Sequence, residues 1–316
     1  MGINTAINDN DMNRSLFKKL AEKHQEHFKQ DVLGLVGCGL FRNPLTKELV
    51  PIHRFLTDED AKSGMIFYEG FRKEILAVAN SMYDFDGRHK SMYVDMLRSE
   101  HIPFNIFVPM AIDDRSKECA ACVFNKFIVN SRIATVDEII IEDDRFCKNK
   151  NYLNDRTAFD AYIAYASTDG KRGGIGIEVK YTEASYKIGG KEGDYCDDNE
   201  SPYWNVTRWS NCFTDDPEKI KTQNEFRQIW RNHLLGLAML KNNQIDYFTH
   251  IHLYPKENGH FDKILPFYEQ ELLTEKGRQS FQTVTFEEFF EELERVFTDE
   301  RFVPWVKYLK ERYLFS

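Results

Sequence analysis

Hydrophobic residues change their spacing along the chain, and the elements follow from that change. Over residues 10–30, Leu16, Leu20 and Phe28 fall on one side of a charged segment, which predicts an amphipathic helix. The apolar run 33–40 is broken by Gly34, Gly37 and Gly39. It is not a phosphate loop, because Leu40 and Phe41 stand where a Walker A motif needs Lys-Ser/Thr. Helices are predicted over 65–82, over 89–110 with an interruption near Pro103, and over 114–129. The texture then turns to strands. Residues 136–141 are rich in β-branched side chains and end in Glu142, Asp143 and Asp144; 158–166 is rich in Tyr; 174–181 alternates. Ser167-Thr168-Asp169-Gly170 supplies the turn of a hairpin between the last two. Residues 188–213, with Gly189, Gly190, Gly193 and Pro202, read as a long polar loop. A helix follows, with Asp216 as N-cap, Pro217 in its first turn, and Phe226, Ile229, Trp230, Leu234 and Leu237 as its apolar stripe. A strand over 247–254 stops at Pro255, and helices over 286–296 and 303–313 close the sequence. The order is helices, three strands, helix, strand, helices. It predicts one α/β core with helical additions at both ends, divided into residues 1–90, 91–260 and 261–316.

Composition narrows the class. A chain of 316 residues with 25 Phe and 15 Tyr can bury a sizeable core, which excludes wholesale disorder. The longest stretch without a polar side chain, 32–41, is far short of the ~20 residues of a membrane span. No basic start followed by an apolar run marks a secretory signal, so a reducing, cytoplasmic setting is expected. Cys119 and Cys122 form a C-x-x-C, but a structural zinc site wants a second pair, and the other cysteines are scattered. Cys119, Cys122, Val123 and Phe127 repeat at helical spacing and read as buried thiols on a helix. The net charge of −9 argues against a coat of positive charge, without excluding a basic groove.

The informative segment is GIGIEVKY at 174–181. On a strand, Ile175, Ile177 and Val179 point one way, while Gly176, Glu178 and Lys180 point the other. A carboxylate and an ammonium side by side on a central strand are costly unless used or paired. Gly174 and Gly176 leave space above that face for a substrate backbone. On the preceding strand Ala158, Asp160, Tyr162 and Ala164 share one face, and Phe159, Ala161 and Ile163 the other; if the strands pair, Asp160 faces Glu178. Two converging carboxylates suit a hard divalent cation, Mg²⁺ by default with Mn²⁺ as substitute. Lys180 then orients or helps deprotonate an attacking water and stabilises charge on a phosphate, which suits phosphodiester hydrolysis. The bland alternative is an ordinary ion pair on a strand, with Asp160 solvated.

Asp160 followed by Glu178-Val179-Lys180 resembles the D…(D/E)-x-K signature of the PD-(D/E)XK restriction-endonuclease-like superfamily. With SEHIPFNIF at 99–107 upstream and IGIEVKYTE at 175–183, the texture is similar to the PGN family of restriction endonucleases within it. The resemblance covers roughly residues 90–255 and departs only in Phe159, where the signature has proline. It implies a core of helix, antiparallel three-stranded meander, helix and further strand, and a metal-dependent endonuclease acting on DNA, with RNA left open. It implies a further metal carboxylate on the preceding helix, where Glu100 stands, although Ser99 as an N-cap with Glu100 in the first turn accounts for the same residues. It also implies a Gln or basic groups presented to substrate by the helix after the E-x-K strand. Gln223 falls on the sheet-facing side, Arg227 borders it and Arg231 follows at i+4; Lys187 and Lys191 lie in or near the long loop.

Other positions carry less. His24 and His27 lack the spacing of a zinc protease, and His250 and His252 share a strand face where packed imidazoles are the ordinary case. Glu287, Glu288, Glu291 and Glu292 read as the wet face of a helix, and no G-x-S-x-G elbow supports a serine hydrolase. A catalytically silent or partner-gated binding module of the same fold is one rival reading, and an enzyme closing the loop over a small phosphorylated ligand is another. Cutting both strands of a duplex with one site per chain calls for a homodimer.

Overall fold

The computed structural model describes residues 16–146, 149–184, 190–214, 219–220 and 224–315. Lys187, Gln223, Asp216 and Pro217 lie outside the described residues. The helices used below are α1 (16–27), α2 (Arg72–Met82), α3 (Ile102–Phe107), α4 (Asp114–Phe124), α5 (Gly190–Asp197), α6 (Pro202–Ser210), α7 (Asn224–Lys241), α8 (Phe286–Val296) and α9 (Val303–Tyr313). The strands are β1 (Gly39–Arg42), β2 (Leu49–Ile52), β3 (Ile133–Ile141), β4 (Ala161–Ser167), β5 (Arg172–Val179), β6 (Tyr247–Tyr254) and β7 (Phe281–Thr285).

β3, β4 and β5 form the antiparallel meander, β6 joins β5 in parallel, and β7 joins β6 in parallel, giving the order β3-β4-β5-β6-β7. The alternation on β5 has the expected result. Ile175, Ile177 and Val179 enter one apolar layer together with α3, α4, α8, α9 and Phe17 and Phe28 from the N-terminal segment. On the opposite face, Tyr162, Phe248 and Phe281 pack beneath α6 and α7. Among the described residues no helix is long and apolar enough to cross a membrane.

Several expectations change. In α1 the buried side is Phe17 and Ala21, while Leu16 and Leu20 face solvent, so there the apolar stripe is rotated by one residue; Phe28, just after α1, is buried as expected. The glycine-broken run enters a hairpin, β1–β2, rather than helical structure. The region before the meander breaks upstream of Pro103, which sits in the first turn of α3 where a missing N–H costs nothing. The polar stretch after residue 189 holds α5 and α6. Pro202 starts α6, and Tyr203 and Trp204 are buried. The C-terminal segment supplies, besides its helices, the fifth strand β7. Cys119 is buried on α4 but Cys122 is exposed. On α8, Glu292 is buried and paired with Arg295 at 2.5 Å rather than wet.

The glycines of β5 leave no open space. Phe159 precedes β4, turns its ring onto the Tyr162 side of the sheet, and fills the place a Cβ on Gly176 would take; the Tyr162 ring does the same at Gly174. Gly176→Ala is therefore expected to cost about 1–3 kcal/mol through overpacking against a fully buried ring. Urea unfolding measures it, and an unchanged midpoint would mean that Phe159 moves aside freely.

Candidate active site

Strand register builds the site. Ile141 pairs with Ala161, and Ala161 with Ile177, so one further step brings Glu142, Asp160 and Glu178 abreast at the same end of three neighbouring strands. The Glu142 N–H donates to the Asp160 carbonyl at 3.1 Å. Asp160 Oδ2 accepts the Val179 N–H at 2.7 Å, which fixes its carboxylate against β5. Glu142 has φ +50°, a left-handed conformation for a residue with a side chain, and lines the same cavity as Tyr83. Such a conformation persists only where its surroundings enforce it.

Glu178 is buried and held by three donors. Oε1 accepts from Gln228 Nε2 at 2.8 Å and from the Lys180 ammonium, and Oε2 accepts from Asn232 Nδ2 at 2.5 Å. Gln228 and Asn232 lie at i and i+4 on α7, one face turned to the sheet. With two lone pairs per carboxylate oxygen, Oε2 retains one open position. Glu142, Asp160, Glu178, Lys180 and Gln228 line a cavity of about 450 Å³ whose walls also include Glu100, Glu183, Arg98, Arg156 and Arg231.

The predicted residues divide here. Asp160, Glu178 and Lys180 meet as expected. Glu100 reaches the cavity from the turn Ser99–His101 and is bonded by Arg98 at 2.9 and 3.0 Å. Ser99 is no side-chain cap; its N–H donates to Glu183 Oε1 at 3.0 Å, and Glu183 Oε2 accepts from the Tyr181 N–H at 2.9 Å. Arg231 lines the cavity and pairs with Glu192 at 2.7 Å, whereas Arg227 reaches Asp197 at 3.4 Å and does not line it. Lys191 is bonded to the Asn154 carbonyl at 2.5 Å. His252 stands beside Glu178 and His250 beside Gly176 in the β5–β6 register, but both rings are buried among Phe261 and Phe281, outside the cavity wall. Burial holds them neutral, with His250 lowered to about 3. Glu142, Gln228 and Asn232 are the residues that sequence reasoning passed over. The i, i+4 amides after an E-x-K strand were the signal for the latter two.

Crowded carboxyl groups resist ionising together. Burial first, then the Glu178 and Glu100 charges, push Glu142 up to about 7. Burial, Glu178 and Glu142 push Asp160 well above the usual carboxylate range. Burial lowers Lys180, but the Glu178 and Asp160 charges outweigh it and the ammonium is held above its ordinary value. Among the described residues no three His, Cys, Asp or Glu groups stand in a closed metal-binding arrangement; Lys180 occupies the Glu178 oxygen instead.

A family model described as the PD-(D/E)XK nuclease superfamily matches residues 8–315. The chain belongs to that superfamily. The match takes in the first third and the tail, which the sequence resemblance leaves unassigned. No curated protein and no solved structure matches the chain. The mixed five-stranded sheet flanked by helices agrees with a PD-(D/E)XK core, and nucleases of this superfamily use divalent metal ions.

The raised Glu142 value sets a pH dependence. Between ~4.3, the usual value for Glu, and about 7 the folded protein binds more protons at this group than the unfolded chain does. The metal-free protein is therefore expected to lose up to roughly 4 kcal/mol of stability as pH rises through that window, at ~1.4 kcal/mol per unit. Glu142→Gln should flatten the loss. Thermal unfolding in chelator from acidic to neutral pH is the measurement, and identical profiles for both proteins would contradict the crowding.

Proposed function

We propose that this chain is a Mg²⁺-dependent endonuclease that hydrolyses phosphodiester bonds of DNA. The observation that carries the reading is the convergence of Glu142, Asp160, Glu178 and Lys180 on one cavity in a chain of a nuclease superfamily. Oxygen donors that burial first, and then mutual repulsion, push up from the usual carboxylate range fit a hard divalent cation, which relieves the repulsive part. Asp160, Glu178 and Glu142 would hold the ion, with Mn²⁺ as a substitute and Glu100 at the cavity wall as a further acidic group. When bound, the ion supplies Lewis-acid stabilisation of the phosphoryl oxygens and lowers the barrier to forming a nucleophile from water.

The chain's own residues do the remainder. Gln228 and Asn232 fix the Glu178 carboxylate. Lys180, held in its charged form, is a poor proton acceptor; it acts by orienting the attacking water and by placing an ammonium near the charge that develops on phosphate. Arg98, tied to Glu100 in the wall, and Arg231, tied to Glu192 outside it, add fixed positive charge at the cavity. We place the activity in the cytoplasm, where the described cysteines, all free, stay reduced.

The test is cleavage of plasmid, linear and single-stranded DNA and of RNA, with Mg²⁺, Mn²⁺ or chelator, by wild type and Asp160→Asn. Metal-dependent cutting of DNA that the variant lacks supports the reading, and faster cutting of RNA would change the substrate. Double-strand breaks by a homodimer should rise more steeply than linearly with protein concentration. Binding without cutting under any metal would assign a silent or partner-gated module, and cutting that survives Asp160→Asn would overturn the site.

A further inference from the structure

The cations of the cavity wall differ in what they hold. Lys180 is bonded to Glu178, Arg98 to Glu100 and Arg231 to Glu192. Arg156 is exposed, and among the described residues it has neither an ion-pair nor a hydrogen-bond partner. It also lines an adjoining groove of about 810 Å³ that runs past Tyr83, Asp84, Arg88, His89 and Asp144. Arg156 thus stands where the catalytic cavity opens into that groove.

The backbone holds it there against its own preference. Arg156 has φ +70°, a conformation that costs an L-residue about 1–2 kcal/mol and is ordinarily left to Gly or Asn. The residues on either side enforce it. Asp155 is buried; Oδ1 accepts the Thr157 N–H at 2.9 Å, while Oδ2 accepts the Thr157 hydroxyl at 2.7 Å and the buried Tyr203 hydroxyl. The neighbouring Asn154 carbonyl is bonded by Lys191. A strained, pinned turn that presents an uncommitted guanidinium four residues before Asp160 is a prepared anion contact. Asp84 and Asp144 repel a phosphate along the groove wall, where Arg88 Nε donates to His89 Nε2 at 2.9 Å, so Arg156 offers the uncommitted donors at its entrance.

Resting on the nuclease reading, we infer that Arg156 binds the backbone phosphate next to the scissile one and guides the flanking strand of nucleic acid into this groove. The planar fork of arginine suits two phosphate oxygens at once, and the contact carries no sequence preference.

Binding of short DNA duplexes of unrelated sequence tests this, measured by fluorescence anisotropy with Mg²⁺ across a salt series. A Lys180→Ala parent keeps the duplex whole. In that parent, Arg156→Ala is expected to weaken binding roughly 10-fold on every sequence and to lower the slope of log K against log salt by about 1. Arg156→Gly should lose the same affinity with an undiminished melting temperature, because glycine relieves the turn, and Arg156→Lys should fall between. Unchanged affinity and slope in both truncations, with the parent binding DNA, would overturn the assignment of Arg156 alone. A loss confined to one sequence would overturn the phosphate contact in favour of a base contact. Failure of wild type and parent to bind either DNA or RNA would overturn the nuclease reading together with it.

Discussion

Lys180→Ala is expected to lower the cleavage rate by about 10²–10³-fold while tightening the apparent affinity for Mg²⁺. The two effects have one origin. The ammonium is buried against Glu178 Oε1, where it neutralises a carboxylate cluster and occupies a lone pair that a cation would use. Without it, Glu178, Asp160 and Glu142 face each other uncompensated, and a divalent ion gains the attraction that Lys180 had. The water and the phosphate lose their fixed positive neighbour at the same time, so rate and affinity move in opposite directions. Metal titration by calorimetry and single-turnover cleavage separate the two. Lys180→Arg is not expected to rescue the rate, since a planar guanidinium does not fit the point contact an ammonium makes. A rate within a few-fold of wild type would remove Lys180 from the reaction, and weaker Mg²⁺ binding would make it a support for the carboxylates rather than their competitor.

What the sequence made legible here follows from where its signals are local. Alternation along β5 is written in consecutive residues, so the apolar face of Ile175, Ile177 and Val179 and the polar face of Glu178 and Lys180 could be read directly. Helix α8 is equally plain, because Phe286, Phe289, Phe290 and Leu293 recur at helical spacing behind the Thr285–Glu288 capping box. β7 was not legible. Its five residues have a mixed burial pattern and are a strand because β6 offers them an edge. α5 and α6 were hidden by Gly and Pro signals that mark helix ends as readily as loops. Glu142 shows the same limit at the site. It is distant from Asp160 in sequence and becomes its neighbour only through the β3–β4 register, which no local pattern specifies. Asn232 likewise becomes a partner of Glu178 only when α7 is laid on the sheet.

Arg312→Ala is expected to destabilise the protein by about 3–5 kcal/mol. Arg312 is fully buried on α9 and, among the described residues, has no carboxylate partner. Its charge is held by neutral groups. Nη1 donates to the Ile66 carbonyl at 2.5 Å and to the Tyr308 hydroxyl, Nη2 meets His101 Nε2 at 3.1 Å, and the rings of Tyr313 and Phe28 lie 5.1 and 5.8 Å from the guanidinium carbon. Burial, and then Arg312 itself, keep His101 neutral and thus able to accept. Alanine would leave those acceptors unpaired inside a new cavity. Arg312→Met fills most of the volume and removes the desolvated charge, so it is expected to lose distinctly less, which separates packing from polar pairing. The consequence reaches the site because His101 follows Glu100 in one turn, and Ser99 of that turn is bonded to Glu183. In Arg312→Ala studied where it is still folded, the Mg²⁺ concentration for half-maximal cleavage should therefore rise. Urea unfolding gives the stability term: a loss under about 1 kcal/mol would mean that water replaces the guanidinium in the core, and the turn carrying Glu100 would then owe its position to something other than Arg312.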